Sequence, residues 1–517
     1  MPDDEVPPDP EPEPTAQERA RRRDRPLVQR AIVSDALMDP EERERIGFDP
    51  SPEAPIPVVI ELNLRHRDGL EGAAEQFLAH FRATMPDDAE PPERVADTYF
   101  RCELTEAEIL RLVEADQRQE DAARRAIYRV WPDFPVHPLI DTSCATVKAD
   151  AARRSFDATG RGITWAVLDS GIDANHHHFR RYETLKGDVA NLHRDFTKPG
   201  EPTIGDALAD QFGHGTHVAG IIAGGLPPRM PRGSDLRVVE RVFDPARPET
   251  PRVQDRPISR PEVLAGIAPE TKLVSLKVLD DRGDGRSMNV VRALEYVRKE
   301  INGYGKLLRV HGVNLSLGYE FDPKWFACGQ SPICAEVDRL VRSGVVVVVA
   351  AGNTGYGSLT ALARQTNVGL TMTINDPGNA ALAITVGATH RDMPHTYGVS
   401  YFSSKGPTGD GRLKPDLVAP GERITSCAAG KALVSAFPGG KAPTPGRTAV
   451  YVEDSGTSMA APHVSGAVAN FLSIRREFIG RPDEVKKVFC ESATSLGRER
   501  YFQGYGLVDL MRAIQSI

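Results

Sequence analysis

Five consecutive valines, at positions 345–349, form the most restrictive pattern in this chain. Apolar β-branched side chains on both faces of a strand are typical of a parallel sheet that is covered by helices on each side. The runs 163–168 and 272–279 are similar, and apolar residues recur at helical spacing in 287–301. This alternation predicts a doubly wound, mostly parallel α/β sheet over residues 151–517.

Polar residues stand at the ends of these predicted elements. Asp169 follows the strand 163–168, and ligands of open α/β sheets bind beyond the carboxyl ends of the strands. His214 and Ser458 each begin a predicted helix rich in small residues, with Thr457 as the expected N-cap of the second helix. Taken alone, Asp169 is better explained as a helix cap or turn residue, the common role of Asp after a strand.

These residue types together point to nucleophilic catalysis. A serine hydroxyl is a poor nucleophile until an imidazole takes its proton, and a carboxylate must orient that imidazole and support its charge. Asn353, just after the valine strand, offers an amide donor that could bind an oxyanion together with the main-chain N–H of Ser458. Its alternative role is a left-handed turn beside Gly352.

The order Asp169, His214, Ser458 is that of subtilisin and differs from the orders in chymotrypsin and the α/β-hydrolases. The chain resembles serine peptidases of the subtilisin-like (subtilase) family. The resemblance implies a subtilisin-like fold and a serine endopeptidase that acts through an acyl-enzyme. It makes Ser458 the nucleophile and His214 the general base, and His217 a core histidine. Three runs carry it: AVLDSGID (166–173), HGTHVAG (214–220) and GTSMAAP (456–462).

The same resemblance suggests where a substrate would bind. The run 313–318 is similar to the family strand that pairs with the substrate main chain, so Ser316, Leu317 and Gly318 are predicted to contact substrate. Gly318 would leave room for a side chain to enter the first specificity pocket. Asn375 is predicted to narrow that pocket or make it polar, although the run 373–378 is equally typical of a surface turn.

The part of the chain before the sheet is predicted to hold a second domain. Low hydrophobicity favours a disordered arm over 1–52, and 53–132 has the order strand, helix, strand, helix, strand. This order resembles a ferredoxin-like α+β prodomain, which would be an intramolecular inhibitor of the cleft; a permanent docking domain is the alternative. Residues 133–150 are the predicted linker, with a candidate autoprocessing site, and 151–517 the catalytic domain.

Two departures from the family pattern bear on metals. A long insertion, 225–263, replaces the region where many subtilases bind calcium, and it is expected to be a surface excursion. His176, His177 and His178 are expected to form a polar loop, because consecutive residues rarely direct all their side chains at one metal. No metal ligand is therefore assigned and no cofactor is expected for the chemistry, while a structural calcium stays possible.

Charge and composition limit the partners. The net charge of −8 is spread along the chain, which argues against nucleic acid, and no apolar run is long enough to span a membrane. A peptide or protein substrate is the expected partner. Six cysteines do not make a disulfide scaffold, and no apolar stretch follows the acidic, proline-rich start. A cytoplasmic location is predicted, with secretion as the alternative.

Two further functions stay open from the sequence. A peptide ligase or macrocyclase on the same fold would transfer the acyl group to an amine instead of water. A regulated binding module would keep an uncleaved N-terminal domain and use the fold for partner contact. Occupation of all four catalytic positions, Asp169, His214, Asn353 and Ser458, argues against a module without activity.

Overall fold

The structure is a computed structural model of the chain, and it divides into two compact units, Met1–Pro138 and Leu139–Ile517. Each unit is described by itself. The residues that the structure describes are 32–34, 37–40, 43, 48–86, 89–119, 121–132, 142–198, 200–227, 230, 235–244, 247–256, 261–322, 327–361, 364–437, 442–443 and 447–517.

The first unit is a four-stranded antiparallel sheet with two helices, in the chain order β-α-β-β-α-β that defines ferredoxin-like folds. The predicted α+β architecture gains one strand, because the second predicted strand is a hairpin of two. Thr105 caps the second helix through a capping box with Glu108. The elements are Ile56–Leu62, Gly69–Thr84, Glu93–Ala96, Tyr99–Leu104, Glu106–Gln117 and Ile127–Pro132.

Part of the predicted arm belongs to this unit. Val33 and Leu37 are buried in its core, and Val33 pairs with Val130 of the last strand. The buried guanidinium of Arg43 donates to the carbonyl of Leu37 and forms an ion pair with Glu106 at 3.0 Å. The prediction of a disordered arm over 1–52 is therefore wrong for the C-terminal part of that arm. Apolar residues within 33–38 pack into the core of the first unit. Residues 1–31 lie outside the described residues.

The second unit is built on a seven-stranded sheet in which every neighbouring pair is parallel. Trp165 and Val167 lie in the core on one face, and Ala166 and Leu168 in the core on the other face. This two-sided burial confirms the doubly wound fold. In spatial order the strands are Leu417–Glu422, Ile384–His390, Val346–Ala350, Gly312–Leu315, Thr164–Asp169, Lys272–Lys277 and Arg194–Asp195.

Helices cover both faces of this sheet, and none of the helices among the described residues is long and apolar enough to cross a membrane. A short hairpin, Tyr356–Ala361 with Arg364–Gly369, stands apart from the sheet. The helices are Thr142–Thr146, Ala149–Phe156, His214–Ile222, Ser287–Tyr296 with the π-turn Val297–Ile301, Pro332–Arg342, Pro394–Tyr397, Gly430–Ser435, Thr457–Ile474, Pro482–Ser492, Arg500–Gln503 and Leu510–Gln515.

The predicted linker 133–150 is shorter than expected. Residues 142–150 form helices of the second unit, and Val147 and Ala149 are fully buried in its main core. The small side chains of Ala149 and Ala152 allow this helix to pack closely against the core. The stretch is too short for sequence periodicity to predict the helix. Residues 133–141 lie outside the described residues.

The insertion is more than a surface excursion. Its strands Asp235–Asp244 and Arg247–Arg256 form an antiparallel hairpin, here called the insertion hairpin. The hairpin pairs in parallel with the strand Thr448–Asp454, which in turn pairs with Ile424–Cys427. These four strands make a second sheet, here called the side sheet. The expectation of an excursion was wrong because the pairing partner lies some two hundred residues further along the chain.

Candidate active site

Asp169 and His214 are hydrogen-bonded, although 45 residues separate them in the chain. Asp169 is the last residue of the strand Thr164–Asp169, and His214 is the first of the helix His214–Ile222. The imidazole Nδ1 lies 2.8 Å from Asp169 Oδ1, and that oxygen also accepts the N–H of Ser170 at 2.8 Å. The carboxylate is buried and the imidazole half-buried. This contact fixes the tautomer that leaves Nε2 free to accept a proton.

Burial and the carboxylate act in opposite directions on His214. Burial disfavours the imidazolium, but the charge of Asp169 and the hydrogen bond to it outweigh that effect and raise the pKa of His214 to about 9. Asp454 and Asp210 add smaller electrostatic contributions in the same direction. The cation that a general base forms during catalysis is therefore stabilised at this position.

A second carboxylate, Asp210, holds the turn that leads into His214. Its oxygens accept hydrogen bonds from the N–H of Gly213 at 2.7 Å, from the N–H and hydroxyl of Thr216 at 2.8 and 2.7 Å, and from the Ser170 hydroxyl at 2.9 Å. Burial raises the pKa of Asp210 while these donors oppose the shift. Sequence reasoning missed this residue, although an Asp shortly before a helix is a recognised N-terminal signal.

Gly213 allows the His214 turn to approach its neighbour closely. Its φ is +98°, and a Cβ there would lie 2.2 Å from the carbonyl oxygen of Ala429. The helix Gly430–Ser435 is tied to the same turn, because the N–H of Lys431 donates to the carbonyl of Gln211 at 2.9 Å. The position of His214 therefore depends on this short helix as well as on Asp169.

Ser458 is the second residue of the helix Thr457–Ile474, with Gly456 at the N-cap position. Thr457 is thus not the N-cap that the sequence predicted. Its hydroxyl instead accepts the N–H of Gly352 at 3.1 Å. The Ser458 hydroxyl donates to the carbonyl of Ser316 at 3.1 Å, and the helix N-terminus adds positive potential at this oxygen.

A buried polar chain joins the predicted substrate segment to the nucleophile. Ser465 donates to the Asn314 amide oxygen at 2.8 Å, and the Asn314 amide donates to the Ser316 hydroxyl at 2.9 Å. The Ser316 hydroxyl in turn donates to the carbonyl of Ser458 at 2.8 Å. The side chain of Ser316 is therefore used to hold Ser458 and is not free to contact a substrate.

Asn353 is held by the residue that precedes the nucleophile. Its Oδ1 accepts the N–H of Thr457 at 2.9 Å and the hydroxyl of Thr457 at 3.2 Å. Since both contacts use the amide oxygen, the amide nitrogen is assigned to the opposite side, as a free donor. A Cβ on Gly456 would lie 3.4 Å from that nitrogen, so the donor lies beside the first turn of the Ser458 helix.

The predicted specificity residues come together beyond the end of the sheet. Strand pairing ends at Leu315, so 316–318 continue past it. A Cβ on Gly318 would lie 2.6 Å from the carbonyl oxygen of Asp376 and 3.7 Å from the Cβ of Asn375. Leu317 is half-buried and Gly318 exposed.

Asn375 is itself fixed behind the oxyanion donor. The Thr354 hydroxyl donates to the amide oxygen of Asn375 at 3.0 Å. A Cβ on Gly352 would lie 2.6 Å from the Cγ of Asn375. The neighbouring Asp376 is fully buried and accepts from the Asn379 amide at 2.8 Å, so its carboxylate does not face an open pocket.

Three further histidines, His176, His178 and His217, are buried and hydrogen-bonded to main-chain carbonyls. His176 donates to the carbonyl of Val450 and His178 to that of Ala223, each at 3.0 Å, and burial lowers their pKa values to about 4 and about 3. The expected polar loop is therefore buried. His217 is buried as expected and donates to the carbonyl of Val452 at 3.1 Å.

Metal ligands do not gather in the part of the chain that the structure describes. No three His, Cys, Asp or Glu side chains there lie close enough to hold an ion.

The sequence of this chain is similar to those of known proteins. A model of the subtilase family matches residues 160–507. Serine protease AprX of Bacillus subtilis strain 168 is 27% identical over 370 residues, which cover 70% of this chain and 68% of AprX. Subtilisin E of the same strain is 27% identical over 369 residues, covering 71% and 70%. An intracellular serine protease of Paenibacillus polymyxa is 29% identical over 356 residues, covering 68% and 80%. The chain therefore belongs to the subtilase family of serine endopeptidases.

Proposed function

We propose that this endopeptidase cleaves peptide bonds with Ser458 as nucleophile, His214 as general base and Asp169 as the residue that orients the base. The observation that carries the proposal is the 2.8 Å hydrogen bond between Asp169 and His214 Nδ1, which leaves Nε2 as the acceptor. Asp169 supports the same role, because it raises the pKa of His214 against the effect of burial and so stabilises the imidazolium that a general base forms.

The proton to be transferred belongs to the Ser458 hydroxyl, which donates a hydrogen bond to the carbonyl of Ser316 in the structure. Rotation about the Cα–Cβ bond to another staggered position turns this hydroxyl toward His214. Ser458 then attacks the substrate carbonyl carbon while His214 takes the proton. His214 next delivers that proton to the leaving amine, and a water molecule repeats both steps on the acyl-enzyme. The chemistry uses no cofactor.

The oxyanion that forms in each half-reaction needs donors that are already in place. The Asn353 amide nitrogen and the Ser458 N–H supply them, and Thr457 holds the Asn353 amide in the required orientation. The substrate main chain extends along 316–318, with its first specificity side chain passing Gly318 toward Asn375.

The first unit acts as a prodomain in this proposal, so the chain is a zymogen controlled by its own N-terminal part. Support comes from its ferredoxin-like order of elements and from its place directly before the residues that match the family model. Cleavage is placed within 133–141, because the residues that follow are helical and Val147 and Ala149 are buried.

A cytoplasmic location is also proposed. The name of the Paenibacillus relative, an intracellular serine protease, is in line with it. The subtilisins among the relatives carry no location in their names.

The test is intact mass spectrometry over time on the wild type, on Ser458→Ala and on the exposed Ser287→Ala, each with and without an unfolded protein substrate. The proposal requires substrate hydrolysis in the wild type and Ser287→Ala only, with release of an N-terminal fragment that ends within 133–141. If an amine is added to the same reaction and the acyl group is transferred to that amine instead of to water, the protein is a ligase. Equal product in wild type and Ser458→Ala would refute the assigned nucleophile.

A further inference from the structure

A cavity of about 310 Å³ lies against one side of His214. The turn before His214, the helix Gly430–Ser435 and the strand Thr448–Asp454 line it, together with Val239 of the insertion hairpin. Neither the segment 316–318 nor Asn353 is part of this lining. The cavity, here called the leaving-side cavity, therefore shares His214 with the proposed catalytic residues but none of the residues proposed to bind the acyl half of the substrate.

The insertion hairpin completes this cavity. Val239 pairs with Val452 in parallel register, so both side chains lie on the same face of the side sheet. Val239, Leu433 and Val450 belong to a small apolar cluster that is separate from the two cores of the main sheet. The insertion thus adds a wall next to the catalytic residues and does not merely extend the surface.

The walls of the cavity are held in place by close contacts. The N–H of Lys431 donates to the carbonyl of Gln211, and Gly213 fits against Ala429 without room for a Cβ. In the same turn, the ring of Phe212 lies so close to Gly283 that a Cβ on Gly283 would approach it to 2.5 Å. The cavity is accordingly formed before any ligand arrives, as most small-ligand pockets are.

The charged side chains that line the cavity have partners of their own or are exposed to solvent. The buried carboxylate of Glu453 pairs with Arg391 at 2.6 Å and with Arg423 at 3.2 Å. The ammonium of Lys431 lies 5.6 Å from the centre of the Phe212 ring, and Asp454 is exposed at the rim. The apolar part of the lining consists of Phe212, Val239, Ala432, Ala436 and Val452.

We propose that the leaving-side cavity binds the side chain of the first residue of the leaving half of the substrate and selects a large apolar side chain there. The proposal rests on the proposed function, in which His214 protonates the leaving amine. The nitrogen of the first leaving residue must come within hydrogen-bonding reach of His214. Because His214 lines the cavity, the Cβ of that residue is then placed at the mouth of the cavity. A Phe or Leu side chain gains most from such a lining, because it moves a large apolar area out of water.

The experiment measures kcat/KM on quenched peptides with one fixed acyl half and with Phe, Leu, Ala, Lys or Asp as the first leaving residue. A methyl ester of the same acyl half serves as a second substrate, since it has no leaving residue. The ratio of kcat/KM for Phe to that for Ala is the readout, because it is independent of the fraction of active enzyme. We expect a ratio of about tenfold or more in the wild type.

Two variants on one helix localise the effect. Ser435 lines the cavity from an exposed position, so Ser435→Trp should fill the cavity and bring the ratio close to one. Val434 is 64% exposed and does not line the cavity, so Val434→Trp should keep the wild-type ratio.

Each outcome decides the proposal. A wild type that hydrolyses the ester without preferring Phe or Leu overturns it, as does a preference for Lys or Asp, or a ratio that Ser435→Trp leaves unchanged. If the wild type hydrolyses neither ester nor peptides, the proposed function itself fails, and the ester result separates that case from a failure of the cavity alone.

Discussion

The amide oxygen of Asn353 accepts the main-chain N–H of Thr457 at 2.9 Å, so the residue before Ser458 orients the oxyanion donor. The Thr457 hydroxyl strengthens this link, because it donates to the same oxygen and accepts from Gly352. One helix start therefore carries the proposed nucleophile, Ser458, and also holds the side chain of Asn353, the proposed oxyanion donor.

Removal of that donor should slow the chemical step. For Asn353→Ala we expect kcat to fall by about 10²–10³ with little change in KM, which is the magnitude known for loss of the oxyanion-hole asparagine in subtilisin. Steady-state kinetics on a peptide substrate checks this, with Asn191→Ala, at an exposed position, as the control. A change in KM alone would show that Asn353 binds the ground state only.

The pH dependence follows from the raised pKa of His214. A group with a pKa of about 9 is protonated below that pH and cannot accept the Ser458 proton, so kcat/KM should rise with pH up to about 9. Asp169→Asn removes the charge that raises the pKa and should move this rise to lower pH. Asp188→Asn, at an exposed position, should leave it unchanged. A profile that is flat across neutral pH would contradict the assignment of His214 as base.

Gly213 should be intolerant of a side chain for two separable reasons. Gly213→Ala places a Cβ at positive φ, which costs about 1–2 kcal/mol, and also 2.2 Å from the Ala429 oxygen. Gly187→Ala has the same sign of φ but no atom within 4 Å, so it reports the conformational cost alone. Urea unfolding should show a larger loss of stability for Gly213→Ala, and only that variant should lose kcat. Equal losses in both would show that the clash relaxes.

Asp210 should matter through the turn that it holds. In Asp210→Asn an amide NH₂ replaces one acceptor oxygen and faces N–H or O–H donors of Gly213 and Thr216. We expect the free energy of unfolding to fall by about 1–3 kcal/mol, as for a buried group that loses its partner. Asp206→Asn, at an exposed position, should change it by less than about 0.5 kcal/mol. Equal stability of the two variants would refute the role of Asp210.

Local sequence patterns were sufficient to predict the strands of the main sheet that are named here. The valine run 345–349 and the strand before Asp169 are buried on both faces, as uniform β-branched and apolar sequence requires. The ferredoxin-like order of the first unit was also visible from periodicity, apart from one short strand. The insertion hairpin was not, because its pairing with Thr448–Asp454 joins segments far apart in the chain.

The sequence by itself determined the family, the doubly wound fold and the identities of Asp169, His214, Asn353 and Ser458 as candidates, because strand burial and short motifs are encoded locally. Only the tertiary structure decided how these residues are held. The tie between Asn353 and Thr457, the support of Asp210 and the cavity beside His214 all join distant segments. Such contacts depend on side-chain geometry across the folded chain, which no local pattern of residues specifies.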